Sequence, residues 1–203
     1  MSVMPLQNRV TPFGEILRLE GRGLVMGNRG ILHDDARRIV RYSQVRRWLT
    51  CRIAFRGRHR AIMRPHSYTE LFFLDEATAF AAGHRPCAEC RYVDYQRFRA
   101  LWENVNGVAT NADAIDAKLH ADRLDRRTKR TYHTELATLP DGTSIALGGA
   151  AWLVWDRELL AWSDFGYTSR RPRPAQCDVE VLTPRSTVAV LSAGYRPGTH
   201  PSA

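Results

Sequence analysis

Two cysteines stand two residues apart in the stretch AAGHRPCAECR, residues 81–91. A Cys-x-x-Cys turn lets the sulfurs of Cys87 and Cys90 point at one site, and thiolates so spaced suit a tetrahedral Zn²⁺ with Zn–S distances of about 2.3 Å. The same spacing serves redox dithiols, which open a helix after a strand in a thioredoxin-like context. Here the pair instead follows a short Ala-rich helix and Gly83. That context favours a metal, with a redox pair or chance spacing as the competing explanations. A lone pair is half a metal site, so further ligands must come from elsewhere. Cys51 and the histidines His59, His66 and His84 lie upstream or alongside, whereas Cys177 stands alone before a late strand and reads as structural.

A second chemistry is electrostatic. LHADRLDRRTKRTYHTE, residues 119–135, concentrates Arg123, Arg126, Arg127, Lys129 and Arg130 around Tyr132. Cations at this density can contact successive phosphates while the tyrosine stacks on a base. Acidic residues are interleaved, so a solvated helix end accounts for the same run. Arg37, Arg38, Arg41, Arg46 and Arg47 form another basic cluster, and RRPRP at 170–174 a third. The formal net charge of +9 favours a polyanionic partner, nucleic acid first and anionic lipid second. An arginine-rich protein without such a partner would carry the same charge.

Histidines supply a third possibility. His33 beside Asp34 and Asp35, or His120 with His133 and Glu135, could provide a general base or metal ligands. No Walker A sequence, Rossmann glycine fingerprint or Gly-x-Ser-x-Gly elbow is present.

The elements that must position these residues read as follows. Residues 1–35 form loops and short strands. Residues 34–50 suggest a short basic helix capped at Asp34 or Asp35. TCRIAFRG (50–57) and YTELFFL (68–74) read as strands, and DEATAFAAG (75–83) as a short helix closed by Gly83. Tyr95, Phe98, Leu101 and Trp102 recur at helical spacing in a segment ending at Gly107, and Ile115, Leu119 and Leu124 mark another helix over 111–127. From 139 onward, Asp-Gly and Gly-Gly turns between short apolar runs predict a β meander. CDVEVLTP adds a late strand, STVAVLSAGY a strand or helix, and RPGTHPSA an irregular tail.

The run ELFFLDEATAFAAGHRPCAECR resembles the second half of the zinc domain of Ada-type DNA alkylation-repair regulators. The matching features are the aromatic pair Phe72–Phe73, Ala82–Gly83 at the helix end, Arg85–Pro86–Cys87, and Cys90–Arg91; Cys51–Arg52 resembles the start of the family's first ligand turn. The resemblance covers about residues 50–92. It implies a structural zinc held by Cys51, Cys87 and Cys90, and in that family the first zinc thiolate accepts a methyl group from a DNA phosphotriester. The family's second cysteine has no counterpart here. His59 lies near its place and is the expected fourth ligand, with His84 and His66 as alternatives. His84 occupies the family's aromatic position.

A 44% hydrophobic fraction with five Trp, seven Phe and seven Tyr is ordinary for a folded globular chain rather than a disordered one. No apolar run approaches the roughly 20 residues of a membrane span. The opening MSVMPLQNRV lacks the pattern of a secretory signal, so a cytoplasmic location is expected, where metal binding is favoured over disulfides. The resulting expectation is an α+β protein. An α/β region over 1–135 carries a zinc knuckle, and a smaller β-rich region covers 136–203, as two units or one continuous domain. The expected function is zinc-stabilised nucleic-acid binding, DNA favoured, with no membrane association. The alternatives are a nucleic-acid-processing enzyme using His33, His120 or His133, and a zinc-stabilised protein-interaction module.

Overall fold

The computed structural model describes residues 4–57, 61–106, 111–126 and 128–203. Mixed α+β architecture is observed. Strands β1 (Gln7–Val10), β2 (Ile16–Arg18), β3 (Val25–Asn28), β4 (Leu49–Cys51) and β5 (Leu71–Phe73) precede helix α1 (Glu76–Ala81) and strand β6 (Arg85–Pro86). These strands form one sheet in the order β2-β1-β5-β3-β4-β6. Helices α2 (Tyr92–Asn106) and α3 (Ala112–Arg123) follow, then a two-stranded ribbon of β7 (Leu124–Asp125) and β8 (Thr128–Lys129). Strands β9 (Tyr132–Glu135), β10 (Ser144–Leu147), β11 (Ala150–Trp155), β12 (Glu158–Ser163), β13 (Gly166–Pro172) and β14 (Asp178–Val181) make a second sheet, ordered β13-β12-β11-β10-β14-β9. Helix α4 (Arg185–Ser192) closes the sequence of elements. The expected meander is thus present, and STVAVLSAGY resolves as a helix.

The hub is α1, every residue of which is buried. Its start is fixed by Asp75, whose Oδ1 accepts from the Thr78 backbone N–H at 2.8 Å, an N-cap that satisfies one of the helix's orphan donors. Its end turns at Gly83, φ +88°, where an added Cβ would lie 2.6 Å from Arg123 Cδ. Small residues let three neighbours approach. Ala79 and Ala82 pack with Leu71 and Phe73 of the first sheet. Ala77 packs with Leu153 and Leu160 of the second. Phe80 enters the cluster of α2, α3 and α4, with Phe98, Trp102, Ile115 and Val190.

The tail is irregular, as expected, but tied down. Tyr195 Oη donates to Glu76 Oε1 at 3.0 Å, and the Gly198 N–H donates to Glu76 Oε2 at 2.9 Å. The His200 N–H and Tyr167 Oη both donate to Asp75 Oδ2, at 3.0 and 2.8 Å. The two acidic residues that open α1 therefore hold the chain's last turns.

Two expectations are corrected here. Residues 34–50 form no helix. The Asp34 carboxylate accepts from the Arg38 backbone N–H at 2.9 Å and from its guanidinium at 2.8 Å, closing a turn in which Arg37 takes a left-handed φ of 58°. A local side-chain bond to backbone competes with helix formation in this way. The strand expected over 50–57 is also shorter, ending at Cys51. No helix among the described residues is long and apolar enough to cross a membrane.

Candidate metal centre and the cleft beside it

Strand register decides which side chains meet. Met26 pairs with Phe72 on β5 and with Cys51 on β4, and Asn28 pairs with Leu49. Directly opposed residues share a face and alternate residues switch faces. Met26, Asn28, Leu49, Cys51 and Phe72 therefore share one face. Val25, Gly27, Leu71 and Phe73 take the other, against α1. The parallel pairing of β4 with β6 then delivers the Cys-x-x-Cys turn to the same place, because the Cys87 N–H donates to Thr50 O at 3.0 Å.

There the sulfurs of Cys51, Cys87 and Cys90 lie within 4.8 Å of one another, and none is in a disulfide. Tetrahedral coordination with zinc–sulfur bonds of about 2.3 Å puts sulfurs about 3.8 Å apart, so the trio is sized for a metal ion. The turn is built to carry negative charge. The Glu89 N–H donates to Cys87 Sγ and the Arg52 N–H to Cys90 Sγ, each at 3.4 Å. The hydrogen bond between Cys51 and Cys87 pushes the Cys87 thiol down and the Cys51 thiol up.

The histidine alternatives fare differently. His59 lies outside the described residues. His66 is exposed and is not part of the sulfur group. His84 is fully buried and engaged elsewhere, its Nε2 accepting from Arg29 Nε at 3.1 Å and its Nδ1 bonded to Leu49 O at 3.0 Å. The ring also packs edge-on against Phe73, centroids 4.6 Å apart. Cys177 is half-buried and is not part of the sulfur group.

The shared sheet face is the floor of an open cleft of about 470 Å³, with the three cysteines along one side. Phe55, Ile62 and Tyr68 contribute walls from the loop between β4 and β5, and Asn28 and Glu70 contribute polar groups. The residues of that loop from Met63 to Glu70 are anchored. Buried Met63 donates its N–H to Glu70 Oε2 at 2.8 Å, and His33 spans Thr69 Oγ1 (2.6 Å) and Arg64 O (3.2 Å). Sequence reading missed the cleft. Its one signal is the alternation of Met26 and Asn28 about Gly27, and of Glu70 and Phe72 about Leu71.

The basic segment divides. Arg126 and Arg130 are exposed, and Arg127 lies outside the described residues. Arg123 turns inward. It is 1% exposed, its guanidinium sits 3.9 Å from the centroid of the Trp48 ring, and it donates to Gly83 O and Arg46 O. Lys129 is half-buried, and its ammonium reaches in to Ala81 O. Tyr132 is half-buried and already carries the Arg185 guanidinium, 3.7 Å from its ring centroid. Arg123, expected at a nucleic-acid surface, is thus buried in the core around Trp48, while Lys129 and Tyr132 are partly buried and make contacts within the fold.

The candidate catalytic histidines are not gathered. His33 is buried with both nitrogens occupied, His120 lies on α3 beside Arg123, and exposed His133 pairs with Asp178 at 3.0 Å. Among the described residues, the three cysteines are the one group of His, Cys, Asp or Glu side chains close enough to hold a metal.

Against family models, curated proteins and solved structures, the chain matches none.

Proposed function

We propose that this is a zinc-stabilised nucleic-acid-binding protein, with DNA the favoured partner. The metal is assigned as zinc because three thiolates without a redox partner are a soft, tetrahedral donor set. His59 is the proposed fourth ligand. The site supports structure: it staples the edge of the first sheet to the start of α2.

One observation carries the nucleic-acid reading. Buried Arg123 stitches two basic segments that are far apart in sequence. Its guanidinium donates to Arg46 O, and its own carbonyl accepts from the Arg130 N–H at 2.9 Å. The exposed side chains of Arg46, Arg47, Arg126 and Arg130 are thereby held on neighbouring backbone, a multivalent cationic surface for phosphates. Around the cleft, Arg52, Arg56 and Arg64 are exposed as well.

The test is anisotropy titration of a labelled DNA duplex between low and moderate salt. Affinity falls linearly on a log–log plot through counterion release. Arg126→Ala and Arg130→Ala each lower the slope by about 1. Binding that ignores salt, or that both substitutions leave untouched, overturns the reading.

A further inference from the structure

The cleft beside the cysteines has a shape and lining that phosphate binding does not use. We propose that it receives one unpaired nucleobase of the bound strand, an inference that rests on the nucleic-acid reading above.

Three features converge. The volume of about 470 Å³ is within the range of small-ligand sites, which are mostly apolar with a few placed polar groups. Phe55, Tyr68 and Phe72 bring aromatic surface to its walls, with the Arg56 guanidinium over the Phe55 ring and that of Arg9 over the Phe72 ring, and a base presents a flat π face to such surfaces whatever its identity. At the floor, the Asn28 amide offers a donor and an acceptor together. A side-chain amide pairs with the N6/N7 edge of adenine, accepting from its exocyclic amino group. The occupant is thus a base bearing an amino group.

The surroundings supply the remaining part of a nucleotide's recognition. Arg52 lines the cleft and is exposed, and Arg56 and Arg64, on the same loop, are exposed too. Phosphates on either side of an inserted base would meet these cations. A free apolar small molecule would have no use for them. The base must come from a single strand or be turned out of a duplex, since its edge and both faces are covered by pairing and stacking within one.

The experiment compares two short single-stranded probes of equal length and charge. One is abasic throughout, and the other carries a single central adenine. The full-length protein is titrated with each at low salt. The adenine probe is expected to bind at least about five-fold more tightly, from stacking worth about 1–3 kcal/mol. Phe55→Leu, which keeps apolar cover over the cysteines, and Asn28→Leu should each shrink that ratio while leaving affinity for the abasic probe and metal content unchanged. Equal binding of both probes overturns the inference and leaves the phosphate-binding reading standing. A ratio that survives both substitutions also overturns it, because the base then sits elsewhere. No binding of either probe removes the nucleic-acid reading itself, and this inference with it.

Discussion

Arg29 donates through Nε to Nε2 of His84, 3.1 Å away, with both side chains fully buried. A guanidinium only donates, so Nε2 must accept, and the ring's proton is on Nδ1, where it bonds to Leu49 O at 3.0 Å. Burial first, and then the Arg29 charge, push the His84 pKa well below its ordinary value, which keeps the ring neutral. The imidazole thus links the buried Arg29 side chain to the backbone of β4, which runs on to Cys51.

His84→Phe should separate bracing from ligation. Phenylalanine fits against Phe73 but leaves Arg29 Nε without its partner and removes the ring's bond to Leu49 O. A buried polar group so orphaned costs about 1–3 kcal/mol, and the melting temperature should fall by roughly 2–4 °C per kcal/mol. Metal content should not change. A zinc-free variant would make His84 a ligand after all.

Metal removal tests the trio. Elemental analysis should give one zinc per wild-type chain, lost in Cys51→Ser, Cys87→Ser or Cys90→Ser and reduced in His59→Ala. Because a ligand bound only to the folded state stabilises it by mass action, a chelator should lower the melting temperature of wild type and leave that of Cys87→Ser in place. Metal-free wild-type protein with an unshifted melt would reduce the sulfur group to packing.

What the sequence discloses follows from what acts locally. The N-cap at Asp75 and the glycine at 83 are short-range signals, so α1 is legible. Phe98, Trp102, Ile115 and Leu119 repeat at helical spacing, so α2 and α3 are as well. The strands of the first sheet are only two to four residues long, too short for alternation to stand out. The turn at Asp34 mimics a helix cap because the same carboxylate serves both. Charge is least legible of all. Arg123 and Lys129 look like surface cations in the run DRLDRRTKR, and only the tertiary position of Trp48 and Ala81 shows that they turn inward. Cys87 and Cys90 were readable from spacing, but the cleft was not, since its floor is drawn from β3, β4 and β5 by pairing.

Arg85 and Asp116 form a buried two-point ion pair, Nε to Oδ1 at 2.8 Å and Nη2 to Oδ2 at 2.7 Å. Residue 85 sits two positions before Cys87, so this pair fixes the entry to the knuckle against α3. Removing one partner leaves a buried charge uncompensated, which typically costs about 3–5 kcal/mol. Asp116→Ala should lower the midpoint of urea unfolding accordingly and should weaken zinc retention during dialysis. Asp116→Ala with an unchanged midpoint would show that water reaches Arg85 and replaces the carboxylate.

Lys129 gives a pH dependence with a definite sign. Burial of its ammonium, reinforced by the Arg29 charge, lowers its pKa to about 7 from the ordinary value of 10.5. Between those two values the unfolded chain binds the extra proton, so stability rises with pH across that window. Below about 7 the group is charged in both states, and the folded state bears the whole desolvation penalty. Lys129→Met removes the charge and keeps the stem. Its melting temperature relative to wild type should therefore be highest near pH 6 and should decline steadily toward pH 10. Parallel melting curves for the two proteins across that range would place the ammonium in water, and the contact with Ala81 O would then be no more than one of several positions of a solvated side chain.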